Sequence, residues 1–136
     1  MTTPLQPVPT PDTEGFWSAT ADGVLALCWC ESCGLYRHPP VERCPTCAGP
    51  MTFKPVSGRG TLFSYIVVHR AIAPGFQDRP GHLIGLVELD DQPGLRLSTQ
   101  LAGITEETVR IGMPVIAEIV PLRGGDLRVP VFKPVG

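Results

Sequence analysis

The sequence predicts a mainly β protein: an N-terminal helix and a metal-stapled ribbon, followed by a five-stranded Greek-key barrel of the OB type. Three observations carry this. Four cysteines form two Cys-x-x-Cys hooks, Cys30 with Cys33 and Cys44 with Cys47, ten residues apart, a spacing suited to closing on one tetrahedral metal. The 136 residues include 16 prolines and 15 glycines with only 18% charged, a turn-rich composition that leaves little room for long helices. Beyond residue 57, three β-type runs, a helical turn and two more β-type runs follow one another, the order of an OB barrel.

Residues 1–11 carry Pro4, Pro7, Pro9 and Pro11 among small polar neighbours. Such a composition buries too little surface to order itself and reads as a tail or linker. The segment 12–56 holds the helix and the ribbon. Asp12 or Thr13 can cap a helix running to about Ala21, with Glu14 favouring the dipole in its first turn and Gly15 weakening it. Phe16, Trp17 and Thr20 then share one side. Phe16 and Trp17 have two readings, a hydrophobic plug against the body of the protein or anchors in an interface with another subunit.

Asp22-Gly23 makes a turn, and Val24 to Trp29 reads as a strand entering the first hook. Leu35 to His38 can return as a small hairpin, Pro39-Pro40 extends the chain before Cys44, and Met51 to Lys54 supplies a last ribbon strand that Pro55 interrupts. Gly34 and Gly49 follow the hooks closely and suit turns whose N–H groups point back at the sulfurs. Four sulfurs leave no open coordination position, so the site reads as structural Zn²⁺, with iron in a rubredoxin-like site open on the same ligands. The ribbon has almost no core of its own, and the metal is expected to supply its folding free energy. Disulfides would need an oxidising compartment, and a redox Cys-x-x-Cys would need a helix N-terminus in a βαβ pattern that is missing. Cys28, in the apolar run before the first hook, reads as a buried small hydrophobe, against a reactive thiol or a replacement ligand.

Ser57-Gly58-Arg59-Gly60 reads as the hinge into the barrel segment, 57–136. Thr61 to His69 is β-branched and aromatic with apolar groups on both alternating faces, which predicts a central strand covered on two sides. A loop from Arg70 to Gly81 leads to His82–Leu89, in which Gly85 marks a bulge or a close backbone approach. After the turn Asp90 to Gly94, Leu95, Leu97, Thr99 and Leu101 alternate with Arg96, Ser98 and Gln100, the pattern of a half-buried strand. Thr105 to Arg110 is a helical turn with a capping threonine and Gly112 beyond its end. Pro114 to Val120 and Asp126 to Phe132, joined at Arg123-Gly124-Gly125, complete the five strands.

The chain carries 11 basic and 13 acidic residues, net −2, and a tetrathiolate Zn²⁺ would bring it to about −4. That is a poor starting point for binding nucleic acid, which depends on clustered Lys and Arg. Arg37, His38 and Arg43 sit beside the hooks and read as compensation for the thiolate centre or as contacts to an anionic ligand or partner. No apolar run approaches the roughly 18 residues that span a bilayer, nor does a secretory leader pattern precede the ribbon. The expected setting is the cytoplasm.

Several stretches together, the Phe16-Trp17 helix, Cys30-Glu31-Ser32-Cys33-Gly34, Pro39-Pro40, Cys44-Pro45-Thr46-Cys47, Ser57-Gly58-Arg59-Gly60, Val87-Glu88-Leu89, Ile111-Gly112-Met113-Pro114-Val115 and Val129 to Pro134, resemble the DUF35 family. The resemblance runs from about residue 12 to 134. It implies a rubredoxin-like zinc ribbon before an OB-fold, associated with acyl-CoA. It further implies a non-catalytic subunit or domain that docks on a thiolase-like protein in a hetero-oligomer and helps form its acyl-CoA site. The assembly would be a lyase (aldolase) or acyltransferase complex, as in the cleavage of steroid side-chain CoA thioesters. Ala48, which delays the second knuckle glycine by one position, and Cys28 depart from the usual pattern.

CoA carries phosphates and an adenine ring, so a site for it needs a few cationic groups and an aromatic wall. Arg59 at the hinge, His69, Arg70 and Arg79 around the long loop, and Phe76 on it are the candidates. Each is also readable as a solvated loop charge or a packing residue. A single-stranded nucleic-acid binder is the alternative, with Phe63 and Tyr65 as stacking residues, though both lie in a strand expected to be buried. A stand-alone enzyme would draw on His38, His69 and His82, of which His69 and His82 flank one loop.

Overall fold

In the computed structural model, residues 6–69 and 82–135 are described. Arg70, Phe76 and Arg79 lie outside the described residues, as do 1–5 and 136. Helix α1 spans Glu14–Ala21. Three ribbon strands follow, β1 (Ala26–Cys30), β2 (Leu35–Tyr36) and β3 (Thr52–Pro55), in a sheet ordered β2-β1-β3. Five more strands, β4 (Arg59–Val68), β5 (His82–Leu89), β6 (Arg96–Leu101), β7 (Pro114–Pro121) and β8 (Arg128–Pro134), close a barrel in the order β4-β5-β6-β8-β7. β6 and β8 pair in parallel and every other neighbouring pair is antiparallel, which is the OB arrangement the strand order predicts.

The helix begins at Thr13 as expected, but the Thr13 hydroxyl does not cap it. Thr13 Oγ1 accepts the backbone N–H of Thr10 at 2.9 Å, tying the preceding turn together and leaving the first-turn donors of α1 without a side-chain cap. Thr20 is fully buried, its hydroxyl donated back to the Trp17 carbonyl at 3.1 Å. α1 packs across β1, β3 and β8 and so bridges ribbon and barrel. Gly15 has a positive reason to be there: a Cβ at that position would overlap the ring of Phe53 on β3. Close helix–strand approach has overruled helix propensity.

Ribbon and barrel share one core. Leu25, Leu27 and Tyr36 belong to the same buried cluster as Leu62, Val87, Val115 and Phe132. The expectation that the ribbon lacks a core of its own therefore has a sequel: it borrows the barrel's.

β4 is not covered on both faces. Leu62 is fully buried, but Phe63 and Ile66 are 45% and 60% exposed. Phe63 follows the alternation that sets Thr61 outward and Leu62 inward, and a register shift between Leu62 and Ser64, a bulge, then flips the phase so that Ser64 and Ile66 face outward as well. Arg96 covers Phe63, its guanidinium carbon 3.8 Å from the ring centroid, while Arg96 Nε reaches Glu88 at 3.1 Å. Gly85, opposite on β5, is the close approach, since a Cβ there would press on Leu62 and Leu101. Gly60 likewise lies in β4 under Glu88 and Val87, and only Gly58, at φ 82°, uses the left-handed freedom expected of the hinge.

Thr105–Arg110 makes one turn rather than a helix. Val109 N–H bonds the Thr105 carbonyl at 2.9 Å and Thr105 N–H bonds Thr108 Oγ1 at 2.9 Å, which seats Ile104 and Val109 in the core. Among the described residues no helix is long and apolar enough to cross a membrane.

Candidate functional site

The two hooks converge. The sulfurs of Cys30, Cys33, Cys44 and Cys47 all lie within 4.8 Å of one another, with Cys30 to Cys47 at 3.5 Å and Cys33 to Cys44 at 3.8 Å. A tetrahedron with metal–sulfur bonds of about 2.3 Å has edges of roughly 3.8 Å, so the cluster fits a tetrahedral ion as it stands. β1 delivers Cys30, and the chain then turns tightly: Gly34 N–H bonds the Cys30 carbonyl at 2.8 Å with Gly34 at φ 65°. The second hook repeats the turn, with Ala48 N–H on the Cys44 carbonyl at 2.8 Å and Ala48 at φ 58°. Ala48, not Gly49, is thus the counterpart of Gly34, and it occupies a conformation that costs an L-residue about 1–2 kcal/mol.

Backbone donors face the sulfurs. Cys33 N–H lies 3.4 Å from Cys30 Sγ and Gly49 N–H 3.4 Å from Cys47 Sγ. Without an ion the four thiols cannot all ionise. Cys44 is pulled down to about 6, first by the backbone N–H of Cys47 and then by that of Thr46. Cys33 is pushed up to about 12, first by its hydrogen bond with Cys30 and then by those with Cys47 and Cys44. Sulfurs this close, one held as a thiolate and its neighbour driven toward the protonated form, are a donor set that a cation completes.

Arg37 stands over the centre. Its Nη2 donates to Thr46 Oγ1 at 2.7 Å and lies 3.9 Å from Cys44 Sγ. Its Nε is buried with no hydrogen-bond partner. Cys28 is buried with its thiol 3.7 Å from the Val41 carbonyl and takes no part in the four-sulfur group.

The other residues singled out from the sequence fall into separate places. Arg59 opens β4 with its side chain exposed, its carbonyl accepting Asp90 N–H at 2.9 Å. His69 lies just past the far end of the same ten-residue strand, roughly 30 Å away at β-strand rise, and its imidazole is 3.9 Å from Glu106 Oε1. The structure does not bring these two together. His82 is paired opposite Val68, next to His69, while His38 belongs to the ribbon. Phe16 and Trp17 form an edge-to-face pair, centroids 4.8 Å apart at 83°, and both are half-buried rather than fully plugged. They border two hollows, a pocket of about 190 Å³ against the ribbon and an open groove of about 680 Å³ along the barrel. Sequence reasoning missed both, because their walls come from segments far apart in the chain.

Comparisons with known proteins agree with this architecture. Residues 53–120 match the family described as the ChsH2 C-terminal OB-fold domain. The chain is 36% identical over 134 residues to a probable enoyl-CoA hydratase alpha subunit of Thermomonospora curvata, and 35% identical over 117 residues to the 3-oxo-4,17-pregnadiene-20-carboxyl-CoA hydratase alpha subunit of Mycobacterium tuberculosis. These alignments cover 96% and 85% of this chain but only 40% and 36% of the relatives. Among solved structures, a chain of one described as an Ltp2-ChsH2(DUF35) aldolase superposes with a TM-score of 0.84 at 34% identity, covering 95% of this chain and 98% of that one. A DUF35 protein of unknown function from Sulfolobus solfataricus shares the fold, with a TM-score of 0.59 at 17% identity and coverage of 92% and 86%.

Proposed function

The chain belongs to the DUF35 family, its barrel of the ChsH2 C-terminal kind, and from that premise we propose that it is a non-catalytic accessory subunit or domain of a thiolase-like enzyme. It binds that enzyme and helps form its acyl-CoA site, in the retro-aldol cleavage of steroid side-chain CoA thioesters. The observation that carries the reading is the end-to-end match to the DUF35 component of an aldolase, 98% of that chain at 34% identity. The named relatives, one a hydratase subunit for a steroid-type CoA thioester, point to the same substrate class.

The residues support an accessory role. Among the described residues, the metal-capable group of side chains is the four-cysteine one, and four sulfurs leave no place for a reacting water. A Zn²⁺ held by Cys30, Cys33, Cys44 and Cys47 supplies folding free energy rather than reaction chemistry. What this chain's residues do is fix the ribbon and α1 against the barrel, so that the half-buried Phe16 and Trp17 are held on a rigid base.

The test is reconstitution. Purified chain and a candidate thiolase-like protein should co-elute, and cleavage of a steroid side-chain CoA thioester should require both. Full turnover by the thiolase-like protein alone would overturn the reading. Elemental analysis should give one zinc per chain.

A further inference from the structure

β6 and β8 are joined along only part of their length. Among the described residues their parallel ladder holds two pairs, Gln100 with Val131 and Leu101 with Phe132. Beyond them, toward Leu97, the strands border an open groove of about 680 Å³ that reaches the β7–β8 turn. One residue explains where the ladder stops. Leu89 N–H bonds the Leu95 carbonyl and Ala102 N–H bonds the Phe132 carbonyl, both at 2.8 Å, so by strand alternation the backbone groups of Ser98 and Gln100 point at β8. In that register the next donor due from β8 belongs to Pro130, which has no N–H to give. The Ser98 carbonyl therefore faces the groove with no donor from β8, an open stretch of strand edge inside the barrel.

The segment before the helix is tethered beside this edge. Gln6 Nε2 donates to the Arg123 carbonyl at 2.9 Å on the β7–β8 turn, Pro7 stands in the groove wall, and a Cβ at Gly125 would overlap the Gln6 side chain. The parallel register sets that turn at the Leu97 end of β6. We infer that the groove is a strand-addition site and that residues 1–5 of the same chain fill it, running antiparallel to β6 from Gln6 back toward Ala102. Five extended residues reach about 17 Å, the span of β6 from Leu97 to Ala102. Met1-Thr2-Thr3-Pro4-Leu5 carries no charged side chain, which suits walls that include Leu97, Leu101, Val129 and Val131. With Thr3 and Leu5 turned toward β6, one of them pairs its N–H and carbonyl with those of Ser98, and Pro4, at the alternate position, gives up no bond to β6. The strand edge is thereby closed to other chains. This inference is independent of the accessory-subunit reading.

The experiment is NMR on the full metal-loaded chain beside a variant lacking residues 2–5. In the full chain Thr3 and Leu5 should show cross-relaxation with the methyl groups of Val129 and Val131. The Ser98 amide should exchange with solvent at least tenfold faster in the shortened chain, while the Leu97 and Thr99 amides, which face β5, keep their rates in both. Leu5→Asp, which sets a charge among the apolar walls, should speed exchange at Ser98 in the same way. Metal content of one per chain reports the folded ribbon in each variant. Absence of any contact between residues 2–5 and the groove overturns the inference, as does an unchanged Ser98 rate in the folded variants. Contacts seen only between differently labelled copies overturn it too, since the occupant would then belong to a second chain. The contacts in the full chain decide even where a variant does not fold, and either result leaves the reconstituted cleavage untouched.

Discussion

Tyr36 and Gln92 clasp ribbon to barrel at two points: Tyr36 N–H donates to Gln92 Oε1 at 2.8 Å, and Gln92 Nε2 donates to the Tyr36 carbonyl at 3.1 Å. Tyr36 lies in β2, the edge strand of the ribbon, and is buried. Its outer backbone groups would otherwise need water or a further strand. A side-chain amide supplies both donor and acceptor in place of that strand. Tyr36 OH completes the anchor by donating to the Pro55 carbonyl at 2.8 Å.

Gln92→Ala should therefore cost about 1–3 kcal/mol, because it leaves a partly buried N–H and carbonyl unpaired. Denaturant unfolding checks the magnitude. Hydrogen exchange checks the place: protection should fall first at Leu35 and Tyr36, with β4–β8 retained.

Gly15→Ala gives a second test, one in which propensity and packing disagree in sign. In an exposed helix the change should stabilise by about 1 kcal/mol. Here the new methyl would overlap the Phe53 ring, so α1 or β3 must shift, and we expect a net loss of about 1–3 kcal/mol in denaturant unfolding.

That disagreement shows what was legible in the chain and what was not. The cysteine cluster could be read because a metal-ligand spacing is local, and the strands because their alternation is local, as at Leu97 and Thr99 on β6. The helix was legible too, but the purpose of Gly15 depends on Phe53, 38 positions away. Gly85 reads as a bulge or a close approach and is the close approach, while the bulge lies across the ladder at Phe63, since a glycine signals crowding without saying which strand deforms. Gln92 looked like one residue of a turn, and nothing in its neighbourhood announces an edge strand to be capped.

At the second knuckle, Ala48 holds a left-handed conformation at φ 58° where the first uses Gly34 at φ 65°. Ala48→Gly should relieve that strain and stabilise the metal-bound fold by about 0.5–1 kcal/mol after the larger unfolded-state entropy of glycine is subtracted. Gly34→Ala should cost a similar amount. Thermal unfolding of the two variants under identical metal loading should move in opposite directions.

His38 sets a pH dependence. Burial holds its folded-state pKa below the ordinary 6.5, so in acid the unfolded chain takes up the proton first. The stability tied to the neutral imidazole is complete above about pH 6.5 and is lost as pH falls through the lower folded-state value. Between pH 8 and pH 5 the wild type should lose more stability than His38→Gln. Proton competition at the thiolates is common to both chains and cancels in the difference. Equal losses would mean that His38 remains hydrated when folded.

Arg37 makes the sharpest prediction about the metal centre. Four thiolates on a divalent ion leave a net −2, and the guanidinium 3.9 Å from Cys44 Sγ is placed to offset it, held there by its 2.7 Å bond to Thr46 Oγ1. Removing such an outer partner typically lowers metal affinity about 10- to 100-fold. Arg37→Ala should therefore release metal to a chelator about tenfold faster or more. Arg37→Lys should recover part of the difference by charge alone, and Arg37→Gln, which keeps a donor without the charge, should recover less. If Gln matches Lys, hydrogen bonding rather than charge holds the centre. If all three variants release metal at the wild-type rate, the guanidinium is no counter-charge at all.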